Sequence, residues 1–212
     1  MTGRFIVLEG GEGSGKSTLA RSLYARLETR QTRVVLTREP GGTAAGELVR
    51  TLLHEALVPW AETFAFLTAR AQLVATVIRP ALDLGAIVIC DRFAASTFAY
   101  QGYARGLDLE QLRTANAIAT GGLTPDITLF IDIDPAIGLA RKHGEAEAIR
   151  TGLETLAFHE RVREGYLAQA RAAPHGSWFT LDGSRSLEDL EAVAWAALMT
   201  TDTSDPKTNS QR

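Results

Sequence analysis

Apolar positions along this chain follow two alternating patterns. Short, almost unbroken apolar runs occur at 4–8 (Arg4-Phe5-Ile6-Val7-Leu8), 33–37, 86–90, 127–131 and 178–181, each of strand length. Between them the apolar residues recur every three or four positions, as Leu19, Leu23 and Leu27 do, which predicts helices that bury one stripe. The spacing predicts helices from Lys16 onward and over about 43–56, 61–84, 94–100, 109–120, 135–142, 154–172 and 186–199. Strands without a polar face, alternating with helices, imply an α/β fold with a parallel sheet covered on both sides. Local signals sharpen the ends. Thr43 is placed to cap a helix, Pro135 to open one, and Ser186 with Asp189 to form a capping box.

Composition narrows the class without changing that picture. The 212 residues suffice for one large domain, and neither an internal repeat nor a linker divides them. A single domain over 1–199 is expected. The remainder, 200–212, holds no apolar residue after Met199 and is expected to be disordered. A formal charge of −3 argues against nonspecific nucleic-acid binding. No run is long enough to span a membrane. The first strand pattern begins at Arg4, so no secretory leader is expected, and the lone Cys90 cannot pair internally. Together these point to a cytoplasmic protein. His54, His143, His159 and His175 show no metal-ligand spacing.

The chemistry is concentrated where the strands end. Gly10-Gly11-Glu12-Gly13-Ser14-Gly15-Lys16-Ser17 matches the phosphate-cradling G-x-x-x-x-G-K-[ST] loop, here between a strand and a helix. Such a turn aims backbone N–H groups at an anion, Lys16 reaches the outer phosphates, and the Ser17 hydroxyl suits Mg²⁺. A nucleoside triphosphate is the expected ligand. In a parallel sheet, ligands sit beyond the carboxyl ends of the strands, which brings in Glu9, Arg38, Glu39, Asp91, Arg92, Asp132 and Asp134 without giving Glu9 a role. Asp91 stands as a metal-facing carboxylate would. Asp132 has a similar setting, and the sequence alone does not rank them. Arg92 offers a fork of donors for a second phosphate. Arg38-Glu39-Pro40-Gly41-Gly42-Thr43 is a turn in which a cis Glu39–Pro40 bond is one possibility. Phe66 and Arg70 share a helix face, read either as a core ring beside a surface charge or as a base-stacking ring with a base donor. Thr97, Tyr100 and Gln101 suit a nucleoside without specifying one.

Taken jointly these strings resemble the thymidylate kinase family. They are the run from Phe5 into the glycine loop, Thr37-Arg38-Glu39-Pro40-Gly41-Gly42-Thr43, Phe66-Leu67-Thr68-Ala69-Arg70, Asp91-Arg92-Phe93, Ser96-Thr97-Phe98-Ala99-Tyr100-Gln101-Gly102, and the helix motif over 158–166. The resemblance covers about 4–199. It implies a three-layer P-loop α/β/α fold with sheet order 2-3-1-4-5, a short helical lid at about 141–153, and a homodimer. It implies transfer of phosphate from ATP to dTMP with Mg²⁺, supplying dTTP synthesis. By that resemblance Gly10, Gly11, Glu12, Gly13, Ser14, Gly15, Lys16, Ser17 and Thr18 hold ATP, and Ser17 and Asp91 serve the metal. Arg38, Arg50 and Arg92 grip the dTMP phosphate. Phe66 stacks on thymine, Arg70 donates to its O4, and Thr97 and Gln101 meet the base. Glu12 receives the sugar 3′-hydroxyl, and Tyr100 excludes a ribose.

One region departs from the family pattern. The arginine-rich lid is thin, with Arg141, Lys142 and Arg150, and Ile149 stands where an aspartate precedes the lid arginine. The glycine loop has no arginine of its own, so a lid cation is expected over the transferring phosphoryl, Arg150 first and Arg141 second. Lys16 and Arg92 complete the expected catalytic set. Two other readings stay open: a P-loop kinase for another nucleotide or nucleoside, and a nucleotide-binding regulator without turnover. No Asn-Lys-x-Asp guanine motif occurs.

Overall fold

The computed structural model describes residues 3–30, 32–142 and 155–200. Five parallel strands form one sheet in the order β2-β3-β1-β4-β5: β1 Arg4–Gly10, β2 Val34–Arg38, β3 Ile87–Asp91, β4 Ile127–Asp132 and β5 Trp178–Asp182. That is the order the resemblance implied. Around the sheet lie α1 Lys16–Glu28, α2 Ala44–Leu52, α3 Pro59–Leu73, α4 Arg79–Asp83, α5 Ala94–Thr97, α6 Leu109–Thr120, α7 Pro135–Lys142, α8 Leu156–Ala172 and α9 Leu187–Thr200.

The central strand β1 shows why both faces must be covered. Successive side chains point to opposite faces. Ile6 and Leu8 therefore join Leu19 and Leu23 of α1 and Ala194 and Leu198 of α9. Phe5 and Val7 join Leu73, Ile78 and Phe93 on the other face. A third cluster, built on Phe130, Phe158, Val162 and Tyr166, seats α8. Full burial of each such side chain stabilises by about 1.5–3 kcal/mol.

Three expected helices differ in detail, and the first, the 43–56 pattern, already ends as α2 at Leu52. The 61–84 pattern begins earlier, at Pro59, and passes through a π-helical turn at Val74–Ile78 before Pro80 in the first turn of α4. The 94–100 pattern becomes the single turn of α5, followed by a π-helical segment, Phe98–Ala104. Apolar spacing does not distinguish a π turn from an α turn over so short a stretch, and π turns gather at functional sites. The capping signals hold. Gly46 N donates to Thr43 Oγ1, Asp189 N donates to Ser186 Oγ, and Pro135 opens α7. The Glu39–Pro40 bond is cis. Cys90 is fully buried, and burial pushes its thiol pKa well up. No described helix is long and apolar enough to cross a membrane. Of the expected lid, 143–153 lies outside the described residues, as do 201–212 of the expected tail.

Candidate active site

The parallel strands end on one rim, and the glycine loop closes over its centre. Gly13 and Gly15 take φ of 65° and 93°, in the left-handed region that favours glycine. A Cβ on Gly13 would fall 1.9 Å from the Gly138 carbonyl oxygen of α7, so loop and helix approach backbone to backbone. Gly15 precedes α1 without a side-chain cap, leaving the first helical N–H groups for an anion. Lys16 folds back over the loop, its Nζ donating to the Gly11 carbonyl at 2.5 Å and to Ser14 Oγ at 3.2 Å. Burial and the nearby Arg92 push its pKa down to about 8, against the pull of Glu12 and Asp91. The Ser17 hydroxyl donates to the Asp91 carboxylate. Asp132 instead receives a two-pronged pair from Arg163, at 2.7 and 2.9 Å. Of the two strand-end aspartates, Asp91 is the one joined to the loop. Thr18, in the first turn of α1, accepts from Arg21 at 3.4 Å.

Arg92 joins the loop to the next element. It is the one non-glycine with positive φ among the described residues, at 72°, a conformation costing of order 1–3 kcal/mol. Its guanidinium donates to Glu12 Oε1 at 2.8 Å, to the Gly10 carbonyl at 3.2 Å and to Ser96 Oγ at 3.3 Å. It also lies 5.3 Å from the Tyr100 ring centre. Glu12 accepts in addition from Lys142 Nζ at 2.8 Å and from the Tyr100 hydroxyl at 3.2 Å. Burial opposes the charge on Glu12, but Arg92, Lys16 and Lys142 hold its carboxyl well below the usual carboxylate range.

A second cluster surrounds Arg70, which is 1% exposed and so is not the surface charge of the blander sequence reading. Its Nε donates to Glu39 Oε2 at 2.8 Å. Its Nη1 donates to Thr97 Oγ1 at 3.0 Å and Asn116 Oδ1 at 2.9 Å, and its Nη2 to the Phe93 carbonyl at 3.1 Å. Burial pushes the Glu39 carboxyl up to about 7, against the pull of Arg70. Phe66 lies one turn earlier on α3, half-buried against Val49, Leu53, Ala65 and Ala69. Gln101 is buried on the π-helical segment after α5. Arg38 and Arg50 meet at Glu47, at 3.4 and 3.7 Å, and Arg50 also donates twice to the Pro40 carbonyl. Arg141 Nη1 donates to the Gly183 carbonyl at 2.9 Å. Arg150 lies outside the described residues.

Several residues of the site were not singled out for a role from the sequence. Glu9 is fully buried and accepts from Phe93 N, Ser96 N, Ser96 Oγ and the Tyr166 hydroxyl, which anchors the turn carrying Arg92. Burial raises its pKa despite those donors. Its signal is a carboxylate in phase with Phe5 and Val7 on the core face of β1. Glu39 was placed at a strand end and Lys142 in the lid, but no local signal marks their partners, nor that of Asn116, because these lie 31, 130 and 46 residues away. Of the described histidines, His54 and His175 are exposed and His159 is buried.

The comparisons agree with this geometry. A family model described as thymidylate kinase matches residues 8–193. A thymidylate kinase of Roseiflexus sp. (strain RS-1) is 48% identical over 202 residues, covering 88% of this chain and 89% of that protein. One of Gloeobacter violaceus is 50% identical over 190 residues, covering 87% and 89%. One of Deinococcus radiodurans is 46% identical over 199 residues, covering 92% and 96%. The crystal structure of thymidylate kinase from Ehrlichia chaffeensis superposes with a TM-score of 0.77 at 33% identity, covering 93% of this chain and 99% of that one. The amide cradle, the Arg92–Glu12 hub and these matches along nearly the whole chain lead to one conclusion: the chain belongs to the thymidylate kinase family.

Proposed function

We propose that this protein transfers the γ-phosphoryl group of ATP to a phosphate oxygen of dTMP by in-line displacement, forming dTDP for dTTP synthesis. The observation that carries the reading is the meeting of two anion-binding devices at one rim, the glycine loop with Lys16 and the guanidinium of Arg92, bridged by Glu12. The acceptor oxygen is already anionic, so no strong general base is needed, and positioning with cationic stabilisation does the work. The loop amides from Gly10 to Thr18 and Lys16 would hold the donor phosphates, while Arg38, Arg50 and Arg92 would hold the acceptor phosphate. Phe66 would stack on thymine, with Arg70, Thr97 and Gln101 around its edge. Glu12 would take the 3′-hydroxyl, and Tyr100, hydrogen-bonded to Glu12, would crowd a 2′-hydroxyl.

Ser17 and Asp91 present hard oxygen donors side by side, a fit for Mg²⁺, which takes few protein ligands and completes its shell with phosphate and water. Bound Mg²⁺ would neutralise charge on the β- and γ-phosphoryl oxygens. Arg150 and then Arg141 remain the proposed lid cations, and closure of the lid over the rim would exclude water. A homodimer belongs to the same reading; Leu48, Phe64 and Ile118 on α2, α3 and α6 expose apolar surface of the kind that partners cover. We place the protein in the cytoplasm.

The test is acceptor preference. With ATP and Mg²⁺ present, dTMP is expected to outperform dUMP, UMP and thymidine in kcat/KM. Equal use of UMP would overturn the thymine and deoxyribose assignments, and binding of both nucleotides without dTDP would leave only the regulator.

A further inference from the structure

The end of α7 reaches the glycine loop through one side chain, and the backbone explains why it is that one. Helix and loop touch main chain to main chain. A Cβ on Gly138 would fall 2.3 Å from the Glu12 carbonyl oxygen, just as one on Gly13 would fall 1.9 Å from the Gly138 carbonyl oxygen. Residues four apart share a helix face. Lys142 stands four beyond Gly138, on the face turned to the loop, and its Nζ donates to Glu12 Oε2 at 2.8 Å. Arg141, about 100° round the helix, is engaged elsewhere, at the Gly183 carbonyl.

The two oxygens of Glu12 are loaded unequally. Oε1 accepts from Arg92 Nη2 at 2.8 Å and from the Tyr100 hydroxyl at 3.2 Å. Among the described residues, Oε2 accepts from Lys142 alone. A carboxylate oxygen has room for about two donors, so the remaining acceptor position is on Oε2. The Glu12 side chain is 25% exposed, and a ligand can reach it. Arg92 is also assigned to the acceptor phosphate, and a guanidinium turned toward phosphate holds Glu12 less firmly. Lys142 comes from another element and holds the other oxygen, so its grip does not depend on Arg92. Its charge also offsets that of Glu12 where anionic nucleotides would meet.

We infer that Lys142 is a positioning residue of this reaction, which fixes Glu12 Oε2 as the acceptor of the sugar 3′-hydroxyl and so makes the start of the lid part of the grip on the pyrimidine nucleotide. The inference rests on the reading of Glu12 as the group that receives that hydroxyl. It gives Lys142 a task different from that of Arg150 and Arg141, which are assigned to the transferring phosphoryl.

Steady-state rates with dTMP and with 3′-deoxythymidine 5′-monophosphate, which lacks only that hydroxyl, test it. The parent is expected to favour dTMP by about thirty-fold in kcat/KM, the scale of a hydrogen bond to a charged group. Lys142→Met keeps the length of the stem and removes the charge. It is expected to raise KM for dTMP about ten-fold, to leave kcat within about two-fold, and to cut the preference to about three-fold, with the deoxy analogue scarcely affected. Lys142→Arg is expected to restore most of the preference. The ion pair is partly exposed, so the urea unfolding midpoint is expected to hold in both variants. A preference undiminished in Lys142→Met overturns the inference and leaves the dTMP reading intact. So does a fall in kcat of equal size with both acceptors, which would make Lys142 a cation of the transferring phosphoryl. A parent indifferent to the 3′-hydroxyl removes the Glu12 assignment and this inference with it, while dTMP phosphorylation stands. A parent that forms no dTDP sinks the functional reading itself, and the inference with it.

Discussion

Lys16 is the residue whose charge is most delicately poised. Its ammonium is buried beside Arg92, and its pKa sits near 8 instead of the usual 10.5. A phosphate arriving on the loop would favour the charged form. ATP binding at about pH 8.5 should therefore take up a fraction of a proton, read by calorimetry in buffers of different ionisation enthalpy. An uptake that does not change between pH 6.5 and 8.5 would refute this. Arg92 and Glu12 form the other poised pair. Arg92→Lys keeps a charge but loses the fork that reaches Glu12 and the Gly10 carbonyl together, and a drop of about 10²-fold in kcat/KM is expected from steady-state rates. Glu39 carries a stability signature. Its carboxyl titrates at about 7 when folded, against 4.5 for an unperturbed glutamate. The folded form therefore holds the extra proton, so the associated stability is complete below about 4.5 and is lost as pH rises through 7. Between pH 5 and 7 the parent should lose about 1–3 kcal/mol more than Glu39→Gln, followed by urea unfolding at each pH. Parallel pH curves for the two proteins would discard the assignment.

At the scale of elements, the rim is assembled by how strands end and helices begin. Glu9 pins the Phe93–Ser96 turn to β1, and that turn carries Arg92 and the carbonyl that holds Arg70. The Thr43 cap sets the start of α2, which carries Glu47 and Arg50 beside Arg38. Thr43→Ala should cost about 1 kcal/mol by urea unfolding and, on the proposed reading, raise KM for dTMP more than it lowers kcat, since it disturbs the arginines proposed for the acceptor phosphate and not the glycine loop. Much of this was legible in the sequence. The glycine loop, the Thr43 and Ser186 caps and Pro135 are local signals that short-range hydrogen bonding and backbone sterics enforce. The π-helical segment bearing Tyr100 and Gln101 was not legible, because its extra residue per turn depends on packing against α8.

Across the whole molecule, the described part of the expected lid, Arg141 and Lys142 at the end of α7, is tied to distant elements. Lys142 pairs with Glu12, and Arg141 is held at the Gly183 carbonyl. Arg150→Ala should lower kcat by about 10³-fold or more, and Arg141→Ala by less. Rapid-quench turnover of both variants decides the order, and parental rates in Arg150→Ala would remove it from the catalytic set. Alternating apolar runs and helical stripes were enough to determine a parallel sheet covered on both faces, because an unbroken apolar strand cannot face water. The glycine loop was likewise legible, because the positive φ taken at Gly13 and Gly15 favours glycine. Tertiary structure alone decided which strand-end aspartate meets Ser17 and that Arg70 is a buried hub instead of a surface charge. It also decided that a lysine of α7 reaches the loop glutamate. Those outcomes depend on side chains tens to more than a hundred residues apart, and the burial that pairs them exists only once the chain has closed around its sheet.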